Sequence, residues 1–185
     1  MPKSKGSIAD PTRLVAFEDN KKDVVQVVIE TPKGSRNKFA FDAKQHVFIL
    51  KKVLPEGMVF PHDFGFIPST RAQDGDPIDV LILMDEPAYP GCVVPARLVG
   101  VIEGEQTAKG KVERNDHLLA VAETSHTHSN VKSIKDLNKS FLDELETFFE
   151  SYHSNDGEEF KVLACKGPGA AAKCLAQAQR KIKAA

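Results

Sequence analysis

The sequence predicts an α+β fold in which a meandering antiparallel sheet closes into a small barrel and helices pack against it. Three observations lead there. Short β-branched runs fill the first two thirds of the 185 residues, Gly and Pro punctuate the joins, and the apolar period becomes helical in the last third. In order, strands are expected at residues 24–29, 38–42, 47–50, 78–84, 93–102 and 118–122. Ile134, Leu137, Phe141, Leu145, Phe148, Phe149 and Tyr152 then recur at helical spacing, with Ser140 as N-cap before Phe141. A short strand over 160–164 precedes Gly167-Pro168-Gly169, and an Ala-rich helix runs on to Lys183. Neither an internal repeat nor a low-complexity linker interrupts the chain, so residues 1–185 read as one domain.

Charge excludes some classes of function. Lys plus Arg number 25 and Asp plus Glu 26, for a formal net charge of -1, which argues against broad electrostatic adhesion to nucleic acid or membrane. No apolar segment follows Met1-Pro2-Lys3-Ser4-Lys5-Gly6, so a signal peptide is not expected. The longest apolar runs, such as Val80-Leu81-Ile82-Leu83-Met84, are too short to span a bilayer. Cys92, Cys165 and Cys174 form no C-x-x-C pair and fit buried or incidental thiols in a reducing cytoplasm.

The chemistry concentrates in Asp74-Gly75-Asp76-Pro77-Ile78-Asp79-Val80. Gly75 and Pro77 forbid a helix, so three carboxylates crowd an extended turn that enters a strand. Such anions repel one another unless a cation or proton compensates, and hard oxygen ligands suit Mg²⁺, Mn²⁺ or Ca²⁺. The plain alternative is a solvated Asp-Gly turn. An EF-hand starting at Asp74 fails, because its turn glycine would be Asp79. His126-Thr127-His128 could offer two imidazoles on one strand face, yet it lacks a third ligand and reads as a polar loop. The stripe from Phe141 to Tyr152 is core packing, save that the Tyr152 hydroxyl needs a partner if buried.

The acidic heptad resembles the signature of the soluble family I inorganic pyrophosphatases. The likeness extends to Val27-Val28-Ile29-Glu30 with Pro32 and Lys38, to Phe60-Pro61-His62-Asp63-Phe64-Gly65-Phe66-Ile67-Pro68, to Pro90-Gly91 with Arg97-Leu98-Val99-Gly100, and to Lys135-Asp136-Leu137 with Phe148-Phe149-Glu150-Ser151-Tyr152. It covers roughly residues 10–180. The resemblance implies a five-stranded OB-like barrel with flanking C-terminal helices and a homo-oligomer, a hexamer in many bacterial members.

It also implies site roles. Asp74 and Asp79 would ligate metal, Asp76 would orient or deprotonate the attacking water beside it, and Glu30 would hold metal-bound water. Lys38 and Tyr152 would grip phosphate oxygens. Several positions depart from the family pattern: Ala40 replaces a glutamate, Lys52 a phosphate-binding arginine, Phe60 and Phe64 two tyrosines. Asn115 aligns with a metal-ligating aspartate, and His117 and His153 stand where the family has lysines. An apparent insertion within 103–117 leaves Asp116, Glu113 or Glu105 to complete the metal site if that loop folds inward. The expected activity is Mg²⁺-dependent hydrolysis of pyrophosphate, with Mn²⁺ as an alternative metal. The competing readings are a degenerate relative that binds phosphate compounds or a protein partner with little turnover, another phosphoanhydride or phosphoester hydrolase, or an OB-like nucleic-acid binder. If His117 and His153 replace lysines in the grip, they carry charge only near or below pH ~6.5, and the optimum should lie on the acid side.

Overall fold

Strand β1 (Val24–Thr31) is the seam of a closed sheet, pairing with β4 (Asp63–Ile67) on one side and β6 (Val93–Ala108) on the other. Strands β5 (Ile78–Leu83) and β8 (His117–Ala122) complete the ring β1-β4-β5-β8-β6. The computed structural model describes residues 10–18, 21, 23–73 and 75–183, with side chains as far as Arg180. The ring is a five-stranded barrel, as expected, but it is not wholly antiparallel. β5 and β8 run parallel, from Val80 opposite Leu118 to Leu83 opposite Val121. The meander is broken because the excursion of β6 and β7 (Lys111–Arg114) intervenes between them.

Burial explains why the strands read as continuous apolar runs. Along β5, Val80 and Ile82 enter one core with Leu175 and Ala178 of α2 (Pro168–Lys183). Leu81 and Leu83 enter the other, against Leu145 and Phe149 of α1 (Lys139–Ser154). A strand with both faces covered needs no polar alternation. Pro168 is the first residue of α2, where its missing N–H costs nothing. Helix α1 starts earlier than expected. Asn138, not Ser140, is the N-cap, its side chain accepting from Phe141 N at 2.7 Å.

Two strands, β4 and β7, are not announced by the sequence, and β6 is longer than expected. β4 lies between prolines and carries Gly65, which looks like a loop, yet all five of its residues are buried. β6 runs on past Ile102 to Ala108 and pairs with β7 and β9 (Glu159–Lys166). Strands β2 (Asn37–Asp42) and β3 (Val47–Val53) form a separate hairpin beside the barrel. Thr31 Oγ1 clamps it to β1, donating to Phe39 O and accepting from Phe39 N, both at 3.0 Å.

Among the described residues no helix is long and apolar enough to cross a membrane. None of the three cysteines is in a disulfide; Cys92 and Cys165 are exposed, and Cys174 is half-buried against the α2 side of the core. The turn bearing His126 and His128 lies beyond β8 and is organised by Asp85, which accepts from the backbone of His126 at 2.8 Å and Thr127 at 3.0 Å. That is a capped polar loop.

His62, whose ring centroid lies 5.0 Å from that of Phe141, is pushed down to about 4 by burial, with Lys33 and His128 adding repulsion. The folded state therefore binds fewer protons at this site than the unfolded chain between about pH 4 and pH 6.5. Stability from this site is intact above pH 6.5 and lost as pH falls towards 4. The melting temperature should drop between pH 6.5 and pH 5, and drop less in His62→Gln. Equal slopes in the two proteins would refute the assignment.

Candidate active site

The acidic turn is fixed at both ends before any ligand arrives. Thr70 Oγ1 donates to Ile67 O at the end of β4 and accepts from Ile78 N at the start of β5, at 3.0 Å for the latter. Ala72 N donates to Asp76 O at 2.7 Å. Gly75 takes φ +98°, a conformation that L side chains rarely adopt, and so lets the chain turn back between the carboxylates. Asp74 lies outside the described residues. Asp76 and Asp79 both line one open cleft of about 550 Å³.

Across that cleft stand Glu30, Lys38 and Tyr152. Glu30 and Lys38 are 8% and 9% exposed, so the two charges could not be left single. Lys38 Nζ lies 3.3 Å from Glu30 Oε2, while Glu30 Oε1 accepts from Phe41 N at 2.8 Å. The same ammonium sits 4.0 Å from the centroid of the Phe64 ring. A carboxylate and an aromatic face thus hold one lysine at a fixed point. Burial raises the pKa of the Tyr152 hydroxyl, reinforced by Asp156, Asp79, Glu30 and Glu158, so it remains a donor.

A second, smaller hollow of about 160 Å³ is lined by Asp79, Asn115, His117 and His153 among aromatic rings. Burial disfavours the cationic form of both its imidazoles. His117 is 3% exposed, packed 4.2 Å from Phe149 and 5.6 Å from Phe160 by ring centroid, and burial pushes it down to about 3. Burial also lowers His153, which stacks on Phe160 at 4.9 Å, although Glu158 partly opposes the shift. Burial thus confines the cationic form of both rings to lower pH than an ordinary imidazole would, so neither is a ready stand-in for a lysine. His117 Nε2 is 3.8 Å from Asp79 Oδ2, so this ring adjoins the acidic turn as a neutral neighbour.

The segment 103–117 does not fold inward. It forms the β6–β7 hairpin, with Glu105 opposite Arg114 and Ala108 opposite Lys111. Asp116 accepts from Gly104 N at 3.1 Å and pairs with Arg114 at 2.9 Å, so as a metal ligand it is already engaged elsewhere. Glu113 pairs with Lys111. Asn115 does reach the smaller hollow, but its amide donates to Gln106 Oε1 at 2.7 Å. Lys52 is also displaced. Its ammonium pairs with Asp156 and lies 3.6 Å from the Tyr152 ring centroid, facing a different hollow with Arg36 and Asn155. Lys51, passed over in the sequence, lines the main cleft instead.

Residues 27–183 match the model of the family described as inorganic pyrophosphatase. This chain belongs to the inorganic pyrophosphatase family. An inorganic pyrophosphatase of Synechocystis sp. is 39% identical over 146 residues, 79% of this chain and 84% of that protein. One from Geobacillus stearothermophilus is 36% identical over 165 residues, 87% of this chain and 93% of the relative. The crystal structure of the pyrophosphatase from Thermus thermophilus superposes with a TM-score of 0.86 at 32% identity, covering 95% of this chain and 99% of that one. Against the family pattern, the substituted positions divide. Ala40 lines the main cleft with Glu30, Lys38, Asp76, Asp79 and Tyr152, whereas Phe60, Phe64, Asn115, His117 and His153 line the smaller hollow, which Lys38, Asp79 and Tyr152 also border.

The residues present fit a hard divalent cation. Among those described, no three His, Cys, Asp or Glu side chains stand close enough to hold an ion by themselves. Mg²⁺ asks for less, since it keeps several waters and binds through one or two carboxylates plus substrate phosphates. Asp76 and Asp79 lining one cleft meet that requirement.

Proposed function

We propose that this chain hydrolyses inorganic pyrophosphate to two phosphates with Mg²⁺. One observation carries the reading: Asp76 and Asp79 share a cleft with Lys38 and Tyr152, so cation-binding and phosphate-binding groups surround one space. Asp79, with Asp74 before it in the turn, would hold the metal. A bound cation would supply charge screening and acidify water there.

The remaining work falls to the protein. Lys38, fixed by Glu30 and Phe64, donates to a phosphate oxygen, and the protonated Tyr152 hydroxyl donates to another. Asp76 accepts the proton of the attacking water. The water oxygen bonds to one phosphorus as the bridging P–O bond breaks, and the second phosphate leaves with the electron pair. Fixed donors of this kind cost no reorganisation during the reaction.

A second reading has its own observation. His117 and His153 are buried and lowered, and Lys52 is held by Asp156, so three groups expected in the phosphate grip supply no free cation. A protein depleted in this way binds pyrophosphate and turns it over poorly. Phosphate release from pyrophosphate with Mg²⁺ or Mn²⁺ decides between the two. The hydrolase reading expects release that a chelator abolishes and that added metal restores. Calorimetric binding of pyrophosphate with no metal-dependent release would establish the second reading and sink the first.

A further inference from the structure

The hairpin β2–β3 and its turn carry three lysines, Lys38, Lys44 and Lys51, into the main cleft. Lys38 pairs in register with Lys52, but the next pair is Phe39 with Leu50, so Lys51 is the extra residue of a β-bulge on β3. A bulge re-aims side chains that strict alternation would separate. Here Lys51 lines the cleft, and Lys44 from the hairpin turn lines it as well. The ammonium ions of Lys38 and Lys52 are both held by carboxylates. Among the described residues no ion pair engages Lys44 or Lys51.

Ala40, Ala43 and Ile49 line the same cleft, and none of them offers a charge to oppose an anion. Asp42, two residues before Lys44 in the hairpin, also lines the cleft. It is already met by the backbone N–H groups of Lys44 at 2.8 Å and Gln45 at 3.0 Å, and by the Gln45 amide at 3.1 Å. Glu30, Asp76 and Asp79 line the cleft together with Lys38. A volume of about 550 Å³ belongs to the range that houses drug-sized ligands, about 300–1,000 Å³. Lys51 lies on β3 directly beside Lys52, the residue paired with Lys38.

We infer that Lys51 and Lys44 form an outer anion station that holds a third phosphoryl group, so that the cleft takes linear inorganic tripolyphosphate as well as pyrophosphate. The inference deepens the proposed function and rests on it: Lys38 and Tyr152 hold the end of the chain that reacts, and the two outer lysines hold its tail. Point charges on long stems suit a flexible polyanion better than a rigid fork would. Lys44 and Lys51 thereby set chain-length preference.

The test is calorimetric titration with inorganic pyrophosphate and, separately, inorganic tripolyphosphate, in Mg²⁺. The full-length Asp76→Asn protein serves as background, so that neither anion is consumed and the metal ligands Asp74 and Asp79 remain. Adding Lys51→Ala should weaken tripolyphosphate by on the order of tenfold and pyrophosphate by much less. Adding Lys44→Ala as well should deepen the selective loss. Both lysines are exposed, so the fold should survive either change. Equal losses for the two anions, or no loss for either, would overturn the outer station and leave the hydrolase reading standing. Failure of the Asp76→Asn protein to bind pyrophosphate at saturating Mg²⁺, together with no metal-dependent phosphate release by its parent, would overturn the site itself.

Discussion

Asp76→Asn should cut phosphate release from pyrophosphate by about 10²–10⁴-fold, the usual worth of a positioned general base. Asparagine keeps the shape of the side chain and one oxygen, but it cannot take a proton from water. The change is clean for structural reasons. Asp76 is exposed, and its peptide carbonyl, which accepts from Ala72 N at 2.7 Å within the turn, survives substitution. Thr70 continues to tie the two ends of the turn through Ile67 and Ile78. Melting temperature and far-UV circular dichroism should therefore match the parent protein. Initial rates under saturating Mg²⁺ provide the measurement. A variant that retains more than about a tenth of the rate would remove Asp76 from the proton-transfer step. Asp76→Glu separates charge from position: it retains the carboxylate but moves it, and should recover only part of the lost rate.

Gly65→Ala should be the most damaging single methyl in the protein. A Cβ at Gly65 would lie 2.1 Å from Val28 O, 2.9 Å from Val28 C and 3.0 Å from Ile29 Cα. All three are backbone atoms of β1, so no rotamer can move them aside. Relief requires β1 and β4 to separate, and those strands close the barrel. A cost of about 3 kcal/mol or more follows from overpacking against an unyielding neighbour. For a chain of this length that corresponds to a fall of roughly 6–12 °C in melting temperature. Gly169 is the comparison: nothing lies within 4 Å of its added Cβ, and it sits in α2, so Gly169→Ala should be neutral or slightly stabilising. Scanning calorimetry on the pair gives the answer. If Gly65→Ala melts within about 2 °C of its parent, the close approach of β1 and β4 is not what requires glycine there.

The same contact reaches the active site. Gly65 opposes Ile29 and Phe64 opposes Thr31, with a register shift between, so Glu30 sits at the irregularity of this pairing. Loosening β4 frees Glu30, and with it the lysine that Glu30 and the Phe64 ring hold in place. Activity should fall in Gly65→Ala by more than the unfolded fraction accounts for.

Much of the site was legible in sequence because its cues are local. Gly75 and Pro77 exclude a helix within six residues of three carboxylates, and the β-branched run after them announces a buried strand. Tyr152 was separable from its aromatic stripe because a buried hydroxyl needs a partner, and it does line the cleft. β4 was not legible, since flanking prolines and Gly65 mimic a loop; the glycine is there for the close backbone approach. Lys51 was invisible for a different reason. Strict alternation places it opposite Lys52, and only the pairing of β3 with β2 reveals the bulge that brings it into the cleft.

His117 marks the boundary between the two kinds of information. Its identity, and the absence of a lysine there, can be read from the chain alone. Its protonation cannot, because that depends on Phe64, Phe149 and Phe160, which arrive from β4, α1 and β9. The linear sequence by itself determined the strands' apolar character, the acidic turn and the chemical types gathered around it, all of which depend on near neighbours and side-chain chemistry. Tertiary structure alone decided which lysines face the cleft, which carboxylates are already engaged and which histidines are neutral. Register and burial are set by residues distant in the chain, and a charge feels whatever packs against it.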